Sequence, residues 1–279
     1  MWFHRTVIEM DAGGGPPGRR ASKPALIALL VACLALLVGA IVVVALDDDE
    51  EPVVAATTTT TTSTTEPPTT TTTVPPTVVP PSTDLATPNG VIPAYDQPDG
   101  AQVDEVGLWY GYPMTMPIVQ EAHDGQWLRI MMPERPNGLT AWVRASDVTR
   151  STSPWRMVLK LGETRVRVYK DGYEVWSAPV GIGRDHTRTP TGKYFVAVIE
   201  KPGPSGYGPI VLNLNAHSED IQSWEGSGDA ITAFHGPFGA EALIRSGGGK
   251  VSNGCIRMLP EDQIKMDGIT LGSPVDIIP

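Results

Sequence analysis

The sequence predicts a mainly β protein, and three features of its 279 residues carry that expectation. From residue 85 onward, short apolar runs are punctuated by Gly, Pro, Asn and Asp, the pattern of short strands joined by tight turns. Asp171-Gly172 stands between two β-rich runs in "RMVLKLGETRVRVYKDGYEVWSAPVGIG", a two-residue hairpin signal. One segment alone reads as a convincing helix: "PEDQIKMDG" from Pro260, with proline early, acids in the first turn and glycine after the end.

The first 84 residues belong to none of this. Residues 1–24 carry Arg5, Arg19, Arg20 and Lys23 against two acids, and read as a cytoplasmic tail. Residues 25–46, "ALIALLVACLALLVGAIVVVAL", form 22 consecutive residues without a charge. At ~1.5 Å per residue such a run crosses a hydrocarbon core of ~30 Å. Basic residues before it and "DDDEE" after it place the rest of the chain outside the membrane. A cleaved signal peptide has a shorter apolar region of ~7–15 residues. "LVAC" also resembles a lipoprotein processing box ending in Cys33, but mostly apolar residues follow it, and a spanning helix fits the length better.

Residues 47–84 are dominated by Thr and Pro and cannot bury enough apolar surface to offset the entropy of folding. They read as a disordered tether, reaching up to ~100 Å at ~3.1 Å per residue. Subtracting residues 1–24 from the totals of 21 basic and 31 acidic side chains leaves 17 and 29, a net −12. So acidic an exported part argues against nucleic acid or anionic lipid as a partner.

Residues 85–150 contain "WYGYPMTMPIVQE", "GQWLRI" and "TAWVRASDV" and no catalytic arrangement; His123-Asp124-Gly125 reads as a turn. The block resembles the small Src-homology-3-like β-barrels of bacteria. Residues 155–279 have longer strands, in "KYFVAVIEK", "PIVLNLNA" and "DAITAFHG", and the one helix directly after a cysteine.

That cysteine is the chemical question. The chain has two, Cys33 in the apolar run and Cys255 in the exported part, so no disulfide scaffold is available. A thiol becomes an effective nucleophile with a base beside it, and imidazole is the usual base; such pairing lowers the thiol pKa. His235 follows "AITAF", where a strand end would hold it. Acyl transfer also needs backbone N–H groups aimed at a developing oxyanion, and "SNGC" has Gly254 to turn the amides of Asn253, Gly254 and Cys255 together. Spacing alone leaves open that Cys255 is a small buried hydrophobe.

The stretch His235-Gly236, a loop, then Ser252-Asn253-Gly254-Cys255-Ile256-Arg257-Met258 resembles the signature of the YkuD-type L,D-transpeptidase catalytic domain. "TPTGKYF" (Thr189 to Phe195) and "VGIG" (Val180 to Gly183) add two further matching blocks. Many members have histidine where this chain has Asn253. The resemblance implies a β-sandwich catalytic domain that cross-links peptidoglycan stem peptides, with no cofactor and no metal. It implies Cys255 as nucleophile, His235 as base, the Gly236 carbonyl as the group orienting the imidazole, and backbone contributions from Asn253 and Gly254. Ser252, Arg257 and His217 are candidate substrate contacts, Ser252 alternatively supporting the turn and Arg257 and His217 alternatively structural. The location implied is the outer face of a bacterial cell membrane, held by one spanning helix.

Two other enzyme readings share this fold: an L,D-carboxypeptidase or an endopeptidase, with water in place of the amine. A wall-binding protein with a relic domain would not need Cys255, His235 and Gly254 together. A metal site on His217 and His235, 18 residues apart, fits no compact ligand motif.

Overall fold

The computed structural model describes residues 79–204 and 206–279; the apolar run 25–46 and the Thr/Pro-rich stretch up to residue 78 lie outside the described residues. No helix among the described residues is long and apolar enough to cross a membrane.

The first nine strands are β1 (Thr83–Pro88), β2 (Ile92–Tyr95), β3 (Gln102–Val106), β4 (Leu108–Trp109), β5 (Tyr112–Pro113), β6 (Met116–Ala122), β7 (Trp127–Met131), β8 (Thr140–Arg144) and β9 (Val148–Ser153). Seven of them form one antiparallel sheet in the order β3-β2-β8-β7-β6-β1-β9, with β4 and β5 as a separate hairpin. β1 starts at Thr83, two residues inside the stretch read as tether. The expected turn at His123-Asp124-Gly125 joins β6 to β7, all three residues having positive φ.

Ten strands follow: β10 (Trp155–Lys160), β11 (Arg165–Lys170), β12 (Tyr173–Pro179), β13 (Gly181–Gly183), β14 (Gly192–Glu200), β15 (Val211–His217), β16 (Ile231–His235), β17 (Gly249–Ser252), β18 (Ile256–Arg257) and β19 (Pro274–Ile278). Their order is β12-β11-β10-β19-β14-β15-β16-β18-β13-β17. Asp171 and Gly172, at φ +52° and +85°, make the hairpin between β11 and β12, the geometry in which Asp-Gly is favoured. The helix expected at Pro260 is α2 (Pro260–Gln263), with proline at its first turn. A second, α1 (Glu241–Arg245), has too short an apolar pattern to be legible beforehand.

β14 is the hinge of this sheet. Its first half, Gly192 to Phe195, pairs with β19, and its second half, Val196 to Glu200, pairs with β15. Met157 and Val168 from one half of the sheet and Leu212 and Phe234 from the other lie in the same core, so the sheet closes over itself. The opposite face of β14 is buried too. Tyr194 and Val196 enter this core, while Phe195 and Ala197 join Leu128, Ile130 and Val143 in the core of the first sheet. A strand buried on both faces reads as a continuous apolar run, which "YFVAVI" is. The two blocks therefore share a strand, and all described residues fall in one compact unit.

Polar contacts lock the same seam. Asn137 Nδ2 donates to the His217 carbonyl and its Oδ1 accepts from the His217 N–H, both at 2.8 Å. Asn215 Nδ2 donates to the Met132 carbonyl at 3.1 Å while its Oδ1 accepts the Phe195 N–H. Arg135 pairs with Asp229 at 2.8 Å and donates to the Ser218 carbonyl, and Tyr110 O–H donates to Asp229 at 2.8 Å.

Candidate active site

Two adjacent parallel strands bring the candidate nucleophile and base together. β16 and β18 pair with Phe234 opposite Ile256 and His235 opposite Arg257. Phe234 and Ile256 are both buried in the main core. Alternation along a strand then sends His235 and Arg257 to the other face, where Cys255 precedes β18. The Cys255 thiol lies 3.8 Å from the Ile231 carbonyl at the start of β16, to which it donates.

His235 is buried, and its Nδ1 is 2.8 Å from the Gly236 carbonyl. A carbonyl only accepts, so Nδ1 carries the proton, and in the neutral ring Nε2 is left with its lone pair. Tyr207 and Phe238 flank the imidazole with ring centroids 5.0 and 5.2 Å away. This burial lowers the His235 pKa to about 4, with the Arg257 charge pushing the same way, against the Gly236 hydrogen bond. Gly236 itself is fixed by its N–H donating to the Tyr207 carbonyl at 2.8 Å.

The thiol departs from expectation. Burial pushes the Cys255 pKa up, and this outweighs the Ala233 amide and the Arg257 charge, which favour the thiolate. At rest the thiol and the imidazole are therefore both neutral, not the preformed thiolate that His–Cys pairing suggested. The physical reason is desolvation, which disfavours both charged forms.

The loop before Cys255 is held by side chains from three directions. Ser252 Oγ, itself buried, donates to the Cys255 carbonyl at 2.5 Å and accepts the Gly254 N–H at 3.1 Å. Gly254 sits at φ +121°, a conformation that favours glycine. Its carbonyl accepts from Thr189 Oγ1 at 2.8 Å, and that same oxygen accepts the Gly183 N–H at 2.9 Å. Arg184 Nη1 donates to Asn253 Oδ1 at 3.0 Å.

One further residue joins this loop, and the Gly254 amide donates to Ser252 Oγ. Ser252 supports the turn. Thr189 stands inside a block singled out in the sequence but had no role there; a buried Thr in a Thr-Pro-Thr-Gly loop is the signal that pointed to it.

Arg257 packs its guanidinium 5.6 Å from the Phe238 ring centroid, and its buried Nε has no hydrogen-bond partner among the described residues. Burial lowers its pKa, with the Arg184 charge adding to the shift. His217 is not brought to this site. Its Nδ1 faces Asp229 at 2.7 Å and its Nε2 the Pro133 carbonyl at 2.5 Å, so both nitrogens are occupied at the seam. The substrate contact expected of His217 is replaced by its alternative, a structural role. No group of three or more His, Cys, Asp or Glu side chains converges among the described residues.

A family model described as the L,D-transpeptidase catalytic domain, YkuD, matches residues 154–277. A Bacillus licheniformis protein carrying the L,D-transpeptidase YkuD name is 30% identical over 130 residues, covering 46% of this chain and 68% of its own. The chain belongs to the YkuD L,D-transpeptidase family. Among solved structures, an Enterococcus faecium L,D-transpeptidase aligns at 17% identity and TM-score 0.31, covering 44% of this chain and 49% of its own. The chain thus spans about half the length of that relative. An L,D-transpeptidase from Mycobacterium tuberculosis H37Rv aligns at 20% identity and TM-score 0.36, covering 52% of this chain and 74% of its own. The family assignment stands on the sequence match.

Proposed function

We propose that the protein is a peptidoglycan L,D-transpeptidase that forms 3→3 cross-links through an acyl-enzyme on Cys255. The observation that carries this reading is the tautomer of His235: Nδ1–H is pinned to the Gly236 carbonyl, so Nε2 is free to accept a proton on the face Cys255 shares. The sulfur attacks the carbonyl of the third residue of a tetrapeptide stem as its proton passes to Nε2. The carbon–nitrogen bond to the terminal D-alanine then breaks, and the imidazolium returns that proton to the departing amine. A side-chain amine of a neighbouring stem attacks the thioester, giving its proton to Nε2, and the thiol is regenerated by return of that proton to sulfur. The imidazole is general base in both attacks and general acid in both departures.

Residues 85–150, where seven of the first nine strands form one antiparallel sheet, are proposed to be a Src-homology-3-like module. Residues 25–46 are proposed to anchor the chain in the bacterial membrane with the catalytic domain outside, and 47–84 to be the tether that lets it reach the wall. Mature protein beginning near residue 47 on N-terminal sequencing would overturn the anchor.

Incubating the full chain with disaccharide-tetrapeptide and reading intact mass tests the chemistry. The expected result is a thioester adduct mapped to Cys255, released D-alanine, and a cross-linked dimer. D-alanine release without dimer would assign a hydrolase, and turnover surviving in Cys255→Ala would end the mechanism.

A further inference from the structure

We propose that Gln263 is a positioning residue for His235: its side-chain amide holds the loop carbonyl that clamps the backbone carrying the imidazole. That the ring so held acts as a base rests on the acyl-transfer reading above; the hold itself rests on hydrogen bonds and packing. Gln263, the last residue of α2, is completely buried and has no part in the proposed chemistry. Its Nε2 donates to the Ile210 carbonyl at 2.6 Å and to the Tyr207 carbonyl at 3.1 Å. Both partners only accept, so the amide nitrogen must face them, and both of its N–H bonds are used. Its Oε1 is left without a partner among the described residues. Burying an unpaired oxygen costs stability that an apolar side chain of similar volume would keep. Packing alone therefore gives no reason for a glutamine at this position. The segment it grips does.

Both carbonyls belong to the connection between β14 and β15, and this connection rests on the base. It closes on itself through Gly203 N–H to the Gly208 carbonyl at 3.0 Å and Tyr207 N–H to the Pro204 carbonyl at 2.8 Å. The Tyr207 ring lies 5.0 Å from the imidazole, and a Cβ on Gly236 would meet the Tyr207 oxygen at 3.1 Å. The peptide plane between His235 and Gly236 is clamped at both edges. Its carbonyl accepts the Met258 N–H at 2.8 Å, and its N–H donates to the Tyr207 carbonyl at 2.8 Å. The first clamp directly follows β18, a strand paired with β16. The second comes from a connection outside the sheet, and Gln263 is the side chain that fixes it. The two lone pairs of the Tyr207 oxygen serve Gly236 and Gln263 together. Once that clamp slackens, the Gly236 carbonyl no longer pins Nδ1–H, and the proton is free to sit on either nitrogen. Gly208, at φ +91°, leaves the space the grip needs, since a Cβ there would stand 2.2 Å from Gln263 Oε1.

The test reads the ring itself, in the full-length chain with nitrogen-15 in its imidazoles. In the parent, His235 should give the Nδ1–H tautomer alone, its resonances identified by their loss in His235→Ala. Gln263→Met keeps the volume and removes both donors. It should show both tautomers and acylate Cys255 with disaccharide-tetrapeptide about 10- to 100-fold more slowly, as a misplacement near 1 Å does. KM should stay within about twofold, because the buried amide meets no substrate. The acid limb of the rate should also move up from about 4 toward 6.5 as water reaches the ring. Arg257 and Cys255, which face the ring from β18 and the residue before it, are unchanged in the variant, so the moved limb reports on Tyr207. Gly208→Ala pushes on the same amide from the loop side and should reproduce these changes with the glutamine intact. A variant that melts earlier yet, while folded, keeps a single Nδ1–H tautomer and the parental rate would make Gln263 a core residue only and overturn the proposal. Mixed tautomers in both variants of a chain whose parent forms no thioester would overturn the enzyme reading and leave the positioning role.

Discussion

Two histidines in this molecule are almost equally buried, His217 at 2% exposure and His235 at 4%, and they end in opposite roles. His217 has both ring nitrogens against oxygen atoms, the Asp229 carboxylate and the Pro133 carbonyl. His235 has one nitrogen against a carbonyl, and the other is not bound by any described residue. Burial removes water from both; what distinguishes them is a spare lone pair. A buried imidazole with a free nitrogen is a base awaiting a proton, whereas one with both nitrogens engaged is a fastener. His217 fastens the seam at which Arg135, Asn137 and Tyr110 from the first block grip β15 and the segment leading to β16.

The comparison breaks if the two histidines respond alike to substitution. The largest expected effect is at His235→Ala: acylation of Cys255 should fall by about 10²–10⁴-fold, the range for loss of a general base, with the melting temperature little changed. Stopped-flow acylation beside thermal unfolding reads both quantities. His217→Asn should do the reverse. It breaks one buried and one partly buried hydrogen bond, costing about 1–3 kcal/mol of stability, while the acylation rate stays within a few-fold; a rate loss as large as that of His235→Ala would mean His217 acts in the chemistry. Asn253→Ala should be the mildest. Its side chain contributes one exposed hydrogen bond to Arg184, so acylation should change by less than about threefold, measured with disaccharide-tetrapeptide and mapped to Cys255.

Much of the fold was legible because it is local. Asp171-Gly172 specifies a hairpin by φ alone, and Pro260 with its two acids marks a helix start without help from distant residues. "YFVAVI" held a legible clue that was missed: an unbroken apolar run means a strand buried on both faces, and therefore two blocks that share a core. Cys255 and His235 were legible through the blocks around them, yet their protonation states were not. Those depend on desolvation by Tyr207, Phe238 and the closing sheet, which no spacing reports. The fate of His217 was likewise hidden, since its partner Pro133 lies 84 positions away in the chain. The contact of the Gly254 amide with Ser252 Oγ was not legible either, since it depends on the turn geometry within the same four residues.

In the proposed mechanism a neutral His235 deprotonates a neutral Cys255 only during attack. The most direct test is the pH dependence of Cys255 acylation by disaccharide-tetrapeptide in the full chain, from about pH 3.5 to 8. A base whose pKa is lowered from 6.5 to about 4 stays competent as pH falls through 6.5 and is lost only near 4. The rate should therefore hold nearly level from pH 8 down to about 5, fall along a limb centred near 4, and lose that limb in His235→Ala. Over the same range, iodoacetamide should alkylate Cys255 more slowly than free cysteine at neutral pH, because burial raises the thiol pKa. An acylation limb near 6.5 would show that burial leaves the His235 base unshifted, and a thiol alkylated faster than free cysteine at pH 7 would show a preformed thiolate–imidazolium pair; either contradicts the claim.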